Sequence, residues 1–231
     1  MQVAVVTVGD ELLSGDTTNT NATWLCQELT ERGVSVERVT TVPDRIGDIA
    51  RVVNEYHAEY DAVIVTGGLG PTHDDVTMEA VAAAFGRSLE RHDEAAAWLE
   101  EHGGYSAGDL VEGTTHLPAG SKMLPNEEGV APGAAIASVY VLPGVPGEMK
   151  RMFGLIVDEF AGEKTHVAFV HTSEPESSLI ERFERLQDEF DVTVGSYPSD
   201  HVRVKLAGRD ETVVEAAAAW LTERVELYEQ E

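Results

Sequence analysis

Short apolar runs alternate with amphipathic stretches through the first part of this chain. Strands are predicted over residues 3–9 (VAVVTVG), 34–40 and 61–68, and helices over 20–32, 46–60 and 76–86. Unbroken β-branched runs of this length are typical of strands buried on both faces of a parallel sheet. Strands that alternate with helices form right-handed βαβ units, which place helices on both faces of the sheet. The predicted fold is therefore α/β, a three-layer, doubly wound and mostly parallel sheet.

A second, smaller domain is predicted after a change of composition near Ala161-Gly162, which divides the chain into domains 1–162 and 163–231. Before that boundary we expect a helix over 93–102, a loop with Gly103, Gly104 and Gly108, and strands and turns over 129–153 that lead into a helix. After it, the turn signals predict the order β (166–171), α (176–187), β (190–196), β (201–207) and α (211–228). This is a small α+β unit, which we interpret as a packing or dimerisation domain of a homo-oligomer.

The charge of the chain is extreme, with 42 acidic and 16 basic residues and a net charge of -26. The carboxylates are spread along the whole sequence, whereas an acidic face for a basic partner would require them to cluster. The dispersion favours adaptation to concentrated salt, and the lack of a basic patch excludes nucleic acid as a partner. The N-terminus has neither a basic leader nor a long apolar run, so we expect a cytoplasmic protein that does not enter a membrane.

A glycine-rich loop with two adjacent carboxylates follows the third strand, in VTGGLGPTHDD (65–75). Gly67, Gly68 and Gly70 allow close backbone approach, so the amides from Leu69 onward could hold a phosphate at the start of the next helix. Asp74 and Asp75 would repel a bare phosphate. The alternative is an ordinary strand-to-helix turn in which one of these two carboxylates caps the helix.

The first strand ends in a similar way, because Gly9 is followed by Asp10 and Glu11. In a doubly wound sheet the two strand ends can be neighbours, which would bring these carboxylates toward Asp75. Carboxylates beside a phosphate loop are useful when a divalent cation lies between them and the phosphate. We expect Mg²⁺, with Mn²⁺ or Co²⁺ as alternatives, bound by Asp75, Asp10 and Glu11.

Four stretches in a fixed order resemble the N-terminal half of the CinA (competence/damage-inducible) proteins, within the molybdopterin-binding Mog/MoaB/MoeA-like superfamily. They are VGDELLSGDTTNTNATWL, TGGLGPTHDDVT, NEEGVAPGAAI and LPGVPGEMKRMF. The resemblance covers about residues 1–160, and residues 165–231 resemble the small α/β region that follows in CinA-type chains. Leu69 and Asp74 stand where Mog-type sequences prefer threonine and arginine, which favours the CinA branch. We expect the deamidase domain of full-length CinA proteins to be absent.

The resemblance implies a ligand that carries phosphate or pyrophosphate. It suggests a metal-dependent ADP-ribose pyrophosphatase on the CinA side and molybdopterin binding with adenylylation on the Mog side. A ligand-sensing module without catalysis is a third possibility. Asp75 is the Asp of the shared D-x-T element and the candidate metal ligand or water-orienting base, supported by Asp10 and Glu11.

The resemblance also suggests the residues that would contact the ligand. The loop amides and the hydroxyl of Thr72 would hold phosphate, and residues from the other strand ends would line its far side. The predicted ligand-binding set is Gly67, Gly68, Leu69, Gly70, Thr72, Asn19, Asn21, Gly144, Pro146 and Glu148. The alternative is that the two asparagines only cap the following helix and that Pro143-Gly144 is a plain turn.

Overall fold

The computed structural model describes residues 1–70, 72–102 and 113–228. Apart from those gaps the chain forms two compact units, Met1–Thr30 with Val34–Gly162 and Glu31–Gly33 with Glu163–Glu231. The first half of the N-terminal unit contains β1 (Gln2–Val8), α1 (Asp10–Ser14), α2 (Thr20–Glu31), β2 (Ser35–Val42), α3 (Ile46–Glu59), β3 (Ala62–Thr66) and α4 (Thr77–Ala84). The second half contains β4 (Leu89–Arg91), α5 (Asp93–His102), β5 (His116–Pro118), β6 (Lys122–Leu124), β7 (Gly133–Ile136), β8 (Val139–Leu142) and α6 (Pro146–Phe153).

The main sheet has the strand order β2-β1-β3-β8-β7-β6. The first four of these strands are mutually parallel, while β7 runs antiparallel to both β8 and β6. The prediction of a doubly wound, mostly parallel α/β sheet is confirmed. The short strands β4, β5 and β6 were not predicted, since three residues are too few to establish an alternating pattern.

Both faces of the sheet are covered, as the unbroken apolar strands predicted. In β3, Val63 and Val65 belong to one core with Ile49 of α3, while Ile64 belongs to the opposite core with Leu25 of α2. All five side chains are fully buried. Since burying one such side chain contributes about 1.5–3 kcal/mol, the two cores fix β3 at the centre of the sheet.

The C-terminal unit is a three-stranded antiparallel sheet with two helices. Its elements are β9 (His166–Thr172), α7 (Ile180–Glu189), β10 (Thr193–Pro198), β11 (Val202–Gly208) and α8 (Glu211–Thr222), and its strand order is β10-β11-β9. Leu186 of α7, Val204 of β11 and Leu221 of α8 are fully buried in its core. The prediction of a smaller α+β region after the parallel sheet is confirmed.

The last helix was predicted over 211–228 but ends at Thr222, because the following segment pairs with β9 instead. Ser173 donates its backbone N–H to Glu226, and Tyr228 donates its own to His171. The predicted loop with Gly103, Gly104 and Gly108 lies outside the described residues. Over the three described ranges, every helix is too short or too polar to cross a membrane.

Candidate functional site

The carboxyl ends of β1, β3 and β8 lie side by side in the sheet, and the loops that follow them interlock. The backbone N–H of Gly67 donates to the carbonyl of Leu142 at 3.1 Å. The hydroxyl of Thr66 donates to the carbonyl of Pro143 at 2.8 Å. A Cβ atom on Gly144 would lie 3.3 Å from the Cα of Gly67. The ends of β1 and β8 therefore meet the glycine loop, which follows β3, at one edge of the sheet, where ligands bind in open α/β sheets.

Two glycines make this junction possible. Gly67 has a φ of 108°, and a Cβ there would lie 2.3 Å from the carbonyl oxygen of Val8. Gly68 has a φ of 65°, and a Cβ there would lie 2.4 Å from Oγ1 of Thr77. That hydroxyl is buried and donates to the carbonyl of Gly67 at 2.8 Å. No residue with a side chain fits either position without displacing backbone or a buried hydroxyl.

The turn that follows leaves several backbone donors available. The amides of Gly68, Leu69 and Gly70 donate to no acceptor in the part of the chain that the structure describes. Leu69 is 9 % exposed and packs its side chain into the apolar core, so this side chain is not a ligand contact. Successive N–H groups of this kind can bind an oxyanion.

A pocket of about 100 Å³ opens beside this loop. Its walls are formed by Thr7, Val8, Leu12, Thr17, Thr18, Asn19, Thr20, Asn21, Thr66, Gly67, Gly144 and Pro146. Five of these were predicted ligand-binding residues, namely Asn19, Asn21, Gly67, Gly144 and Pro146. The threonines were missed, because a threonine within a β-branched strand or a polar loop has no distinctive pattern of its own.

The two predicted asparagines have different contacts. Asn19 accepts a hydrogen bond from the amide of Ala22 at 3.0 Å and so caps α2, while its Nδ2 donates to Thr7 at 3.0 Å. Asn21 reaches across the sheet edge, and its Nδ2 donates to the carbonyl of Gly144 at 2.7 Å. Asn19 therefore caps the helix, as the alternative interpretation predicted. Asn21 instead joins the first turn of α2 to the loop that follows β8.

Asp75 and Thr72 are engaged with each other. Oδ2 of Asp75 accepts from the amide of Thr72 at 2.9 Å and also from the Thr72 hydroxyl. The Thr72 hydroxyl, which was predicted to hold phosphate, is thus bonded within its own loop. Neither Asp74 nor Asp75 caps α4, since that helix has Val76 at its N-cap and no side-chain cap.

Glu148 lies in the first turn of α6. Its Oε2 accepts from Nδ2 of the buried Asn126 at 2.7 Å, and a Cβ on Gly129 would lie 2.3 Å from the same oxygen. It is not among the pocket residues. Glu148 follows β8 in the sequence, and its carboxylate is hydrogen-bonded to the 126–131 loop.

Carboxylates from three segments of the chain lie close enough to affect one another's charge: those at the start of α1, after β2 and in the glycine loop. The backbone N–H of Asp10 donates to Oδ2 of Asp44 at 2.8 Å. Burial raises the pKa of Asp44, and the negative charges of Asp10, Glu11 and Asp74 raise it further, although the N–H of Asp10 opposes the rise. Asp44 follows β2 and was not predicted. Asp74, rather than Asp75, is the carboxylate of the glycine loop that acts on it.

These acids do not form a ready-made metal centre. Across residues 1–70, 72–102 and 113–228, no group of three or more His, Cys, Asp or Glu side chains is arranged to hold a metal ion. Carboxylate oxygens are nevertheless suitable ligands for Mg²⁺. This ion needs only one or two carboxylates from the protein when substrate phosphates supply its other ligands.

The interlocked strand ends, the glycine loop and the pocket beside it define a small-ligand-binding α/β domain of the molybdopterin-binding type. Residues 4–162 match the family described as the probable molybdopterin binding domain, and the chain belongs to that family. Residues 164–229 match the FAD synthase middle domain. The resemblance to CinA and Mog-type proteins is thereby confirmed.

Individual relatives agree with this assignment. A protein of Archaeoglobus fulgidus is 38% identical over 219 residues, which cover 94% of this chain and 95% of that one. A CinA-like protein of Citrifermentans bemidjiense is 45% identical over 159 residues, which are 66% of this chain but 38% of that longer protein. The crystal structure of CinA from Thermoplasma acidophilum is 33% identical, with a TM-score of 0.64, and covers 69% of this chain and 97% of its own.

Proposed function

We propose that this chain binds a small phosphorylated nucleotide or pterin at the strand-tip site. The observation that carries the proposal is the row of amides at Gly68, Leu69 and Gly70, which have no acceptor among the described residues, beside a pocket lined by threonines and asparagines. Successive backbone donors in a turn favour an oxyanion without a cationic side chain. The family membership supports the same class of ligand.

The finer proposal is that the bound ligand is a nucleotide pyrophosphate such as ADP-ribose and that the chain hydrolyses it. A water oxygen attacks one phosphorus and the P–O–P bridge breaks, giving AMP and ribose 5-phosphate. Asp10 and Glu11 would hold a divalent cation together with the phosphates, and that cation would neutralise charge on the leaving phosphate. Asp75 is the candidate for orienting the water or ligating the ion. The amides of the glycine loop would stabilise charge on the phosphate oxygens.

The test is to incubate the purified chain with ADP-ribose and Mg²⁺, Mn²⁺ or Co²⁺, at low and high salt, and to separate the nucleotides chromatographically. AMP and ribose 5-phosphate in equal amounts would support hydrolysis. Binding measured by calorimetry with no product would reduce the proposal to a non-catalytic nucleotide-binding module. Absence of binding would reject ADP-ribose as the ligand.

A second candidate follows from the description of the matching family, which names molybdopterin. It predicts that the chain binds the pterin and, with ATP, forms an adenylylated product. Molybdopterin with ATP belongs in the same panel, and an unchanged mixture would eliminate this alternative.

Assembly into a homo-oligomer through the C-terminal unit is a separate proposal, which sedimentation of the full chain would test.

A further inference from the structure

The side-chain amide of Asn21 has a fixed orientation. Its Nδ2 donates to the carbonyl of Gly144 at 2.7 Å and lies 3.4 Å from Oγ1 of Thr66. Turning the amide over would place Oδ1 against that carbonyl oxygen, so the nitrogen must face Gly144. Oδ1 is therefore presented as an acceptor on the other side.

That acceptor has no partner. Oδ1 of Asn21 is buried, and none of the described residues donates a hydrogen bond to it. A buried acceptor without a donor is costly, and such atoms in native proteins call for an explanation. Because Asn21 lines the pocket, a ligand group that carries O–H or N–H would satisfy this oxygen.

The pocket walls indicate which part of a ligand enters. All twelve lining residues are uncharged, and none is aromatic. A flat heterocycle would therefore find no aromatic ring to stack on, and a phosphate is better placed against the amides of the glycine loop. The hydroxyls of Thr17, Thr18 and Thr20 can donate or accept, which suits a polyhydroxylated group.

We propose that this pocket is a sugar subsite, which takes the hydroxyls of a ribose-type group while the attached phosphates lie against the amides of Gly68 to Gly70. Oδ1 of Asn21 accepts from one sugar hydroxyl and determines specificity for it. The volume of about 100 Å³ exceeds by several-fold the ~10–15 Å³ needed for one water, so a sugar ring can displace several waters. This inference rests on the proposed binding function and adds the division of the ligand between the two subsites.

The test compares three probes on the full chain by calorimetry or ligand-detected NMR: inorganic pyrophosphate, ribose 5-phosphate and ADP-ribose. Asn21→Ala should weaken binding of the two sugar-containing probes roughly tenfold, the effect of one lost hydrogen bond, and leave pyrophosphate unchanged. Asn21→Ser provides a second variant in case alanine perturbs the loops. Asn54→Ala is the matched control, since Asn54 on α3 donates to the carbonyl of Ala84 on α4 and does not line the pocket.

The outcomes separate this inference from the function on which it rests. If pyrophosphate and ADP-ribose both fail to bind the wild-type chain, the proposed function is wrong and the sugar subsite with it. If they bind, and the folded Asn21 variants weaken all three probes equally or none of them, phosphate binding stands and the sugar subsite is rejected.

Discussion

The backbone of Gly67 passes so close to β1 that its missing side chain is a structural requirement. Gly67→Ala would force a positive φ on an L-residue and place a Cβ 2.3 Å from the carbonyl of Val8. We expect a loss of about 3 kcal/mol or more in the free energy of unfolding, measured by urea denaturation. Gly15→Ala is the control, because Gly15 also has a positive φ (82°) but nothing within 4 Å of its Cβ, and should cost about 1 kcal/mol. If the two variants lose the same amount of stability, the positive φ, and not the close contact with β1, is the reason that position 67 requires glycine.

Asp75→Asn separates the charge of this side chain from its role in the loop. An asparagine oxygen can still accept both hydrogen bonds from Thr72, so the fold of the loop should persist. If the carboxylate ligates the cation or orients the water, hydrolysis of ADP-ribose should fall about 100-fold or more, while the thermal midpoint stays close to the wild type. Glu59→Gln removes an equal charge from the exposed last turn of α3, which leads into the amino end of β3 and so lies at the opposite end of that strand from the glycine loop; this variant should leave the rate unchanged. An unaltered rate in Asp75→Asn would remove Asp75 from the mechanism.

The sequence predicted residues whose types are unusual in their context and missed those whose roles depend on the fold. Gly67, Gly144 and Asn21 interrupt apolar or polar runs, and they do line the pocket. Thr66 ends a strand in which threonine is an ordinary residue, and it finds a partner only because β3 pairs with β8, whose following residue is Pro143. Glu148 is the reverse case, because its position in the sequence after β8 did not indicate that its carboxylate accepts a hydrogen bond from Asn126.

At the scale of secondary structure elements, long periodic segments were predictable and short ones were not. The alternate residues of β3 face two cores, which its unbroken apolar run indicated. The end of α8 was missed because residues 223–228 have no helix-breaking residue, and the backbone pairing with β9 outweighs helix propensity there.

The Glu174–Arg182 pair ties three elements of the C-terminal unit together. Oε1 of Glu174 accepts from Nη1 of Arg182 on α7 at 2.9 Å and from the amide of Glu226, beyond α8, at 2.8 Å. The hydrogen bonds from Arg182 are the main cause that lowers the pKa of Glu174 from 4.5 to about 2. Because the folded pKa is depressed, this stabilisation is present above pH 4.5 and is lost as the pH falls toward 2.

Glu174→Gln should therefore destabilise the chain near neutral pH by about 1 kcal/mol, a modest value because both side chains are partly exposed. Its difference from the wild type should shrink as the pH falls from 4.5 toward about 2, where the wild-type carboxylate also becomes protonated. Unfolding free energies measured across this range test the prediction. A gap that stays constant with pH would show that packing, and not the charge of Glu174, links these elements.

For the whole molecule, the dominant feature is a net charge of -26 with few cations to offset it. Several of the ion pairs are on exposed surfaces, such as Arg51 with Glu55 and Arg209 with Glu163, where a pair contributes little. Most carboxylates therefore repel one another in the folded state, and the unfolded chain relieves part of that repulsion by expanding. Added salt should stabilise the fold.

We expect the midpoint of thermal unfolding to rise with KCl, most steeply between about 0.1 M and about 1 M, where the Debye length falls from about 10 Å to about 3 Å. A general salting effect on apolar surface would instead grow in proportion to concentration, so the shape of the curve distinguishes screening from solvent exclusion. Sucrose at equal osmolality is the control, because it is excluded from the surface but does not screen charge. A midpoint that is flat over this range would contradict the interpretation of the dispersed acidity as an adaptation to concentrated salt.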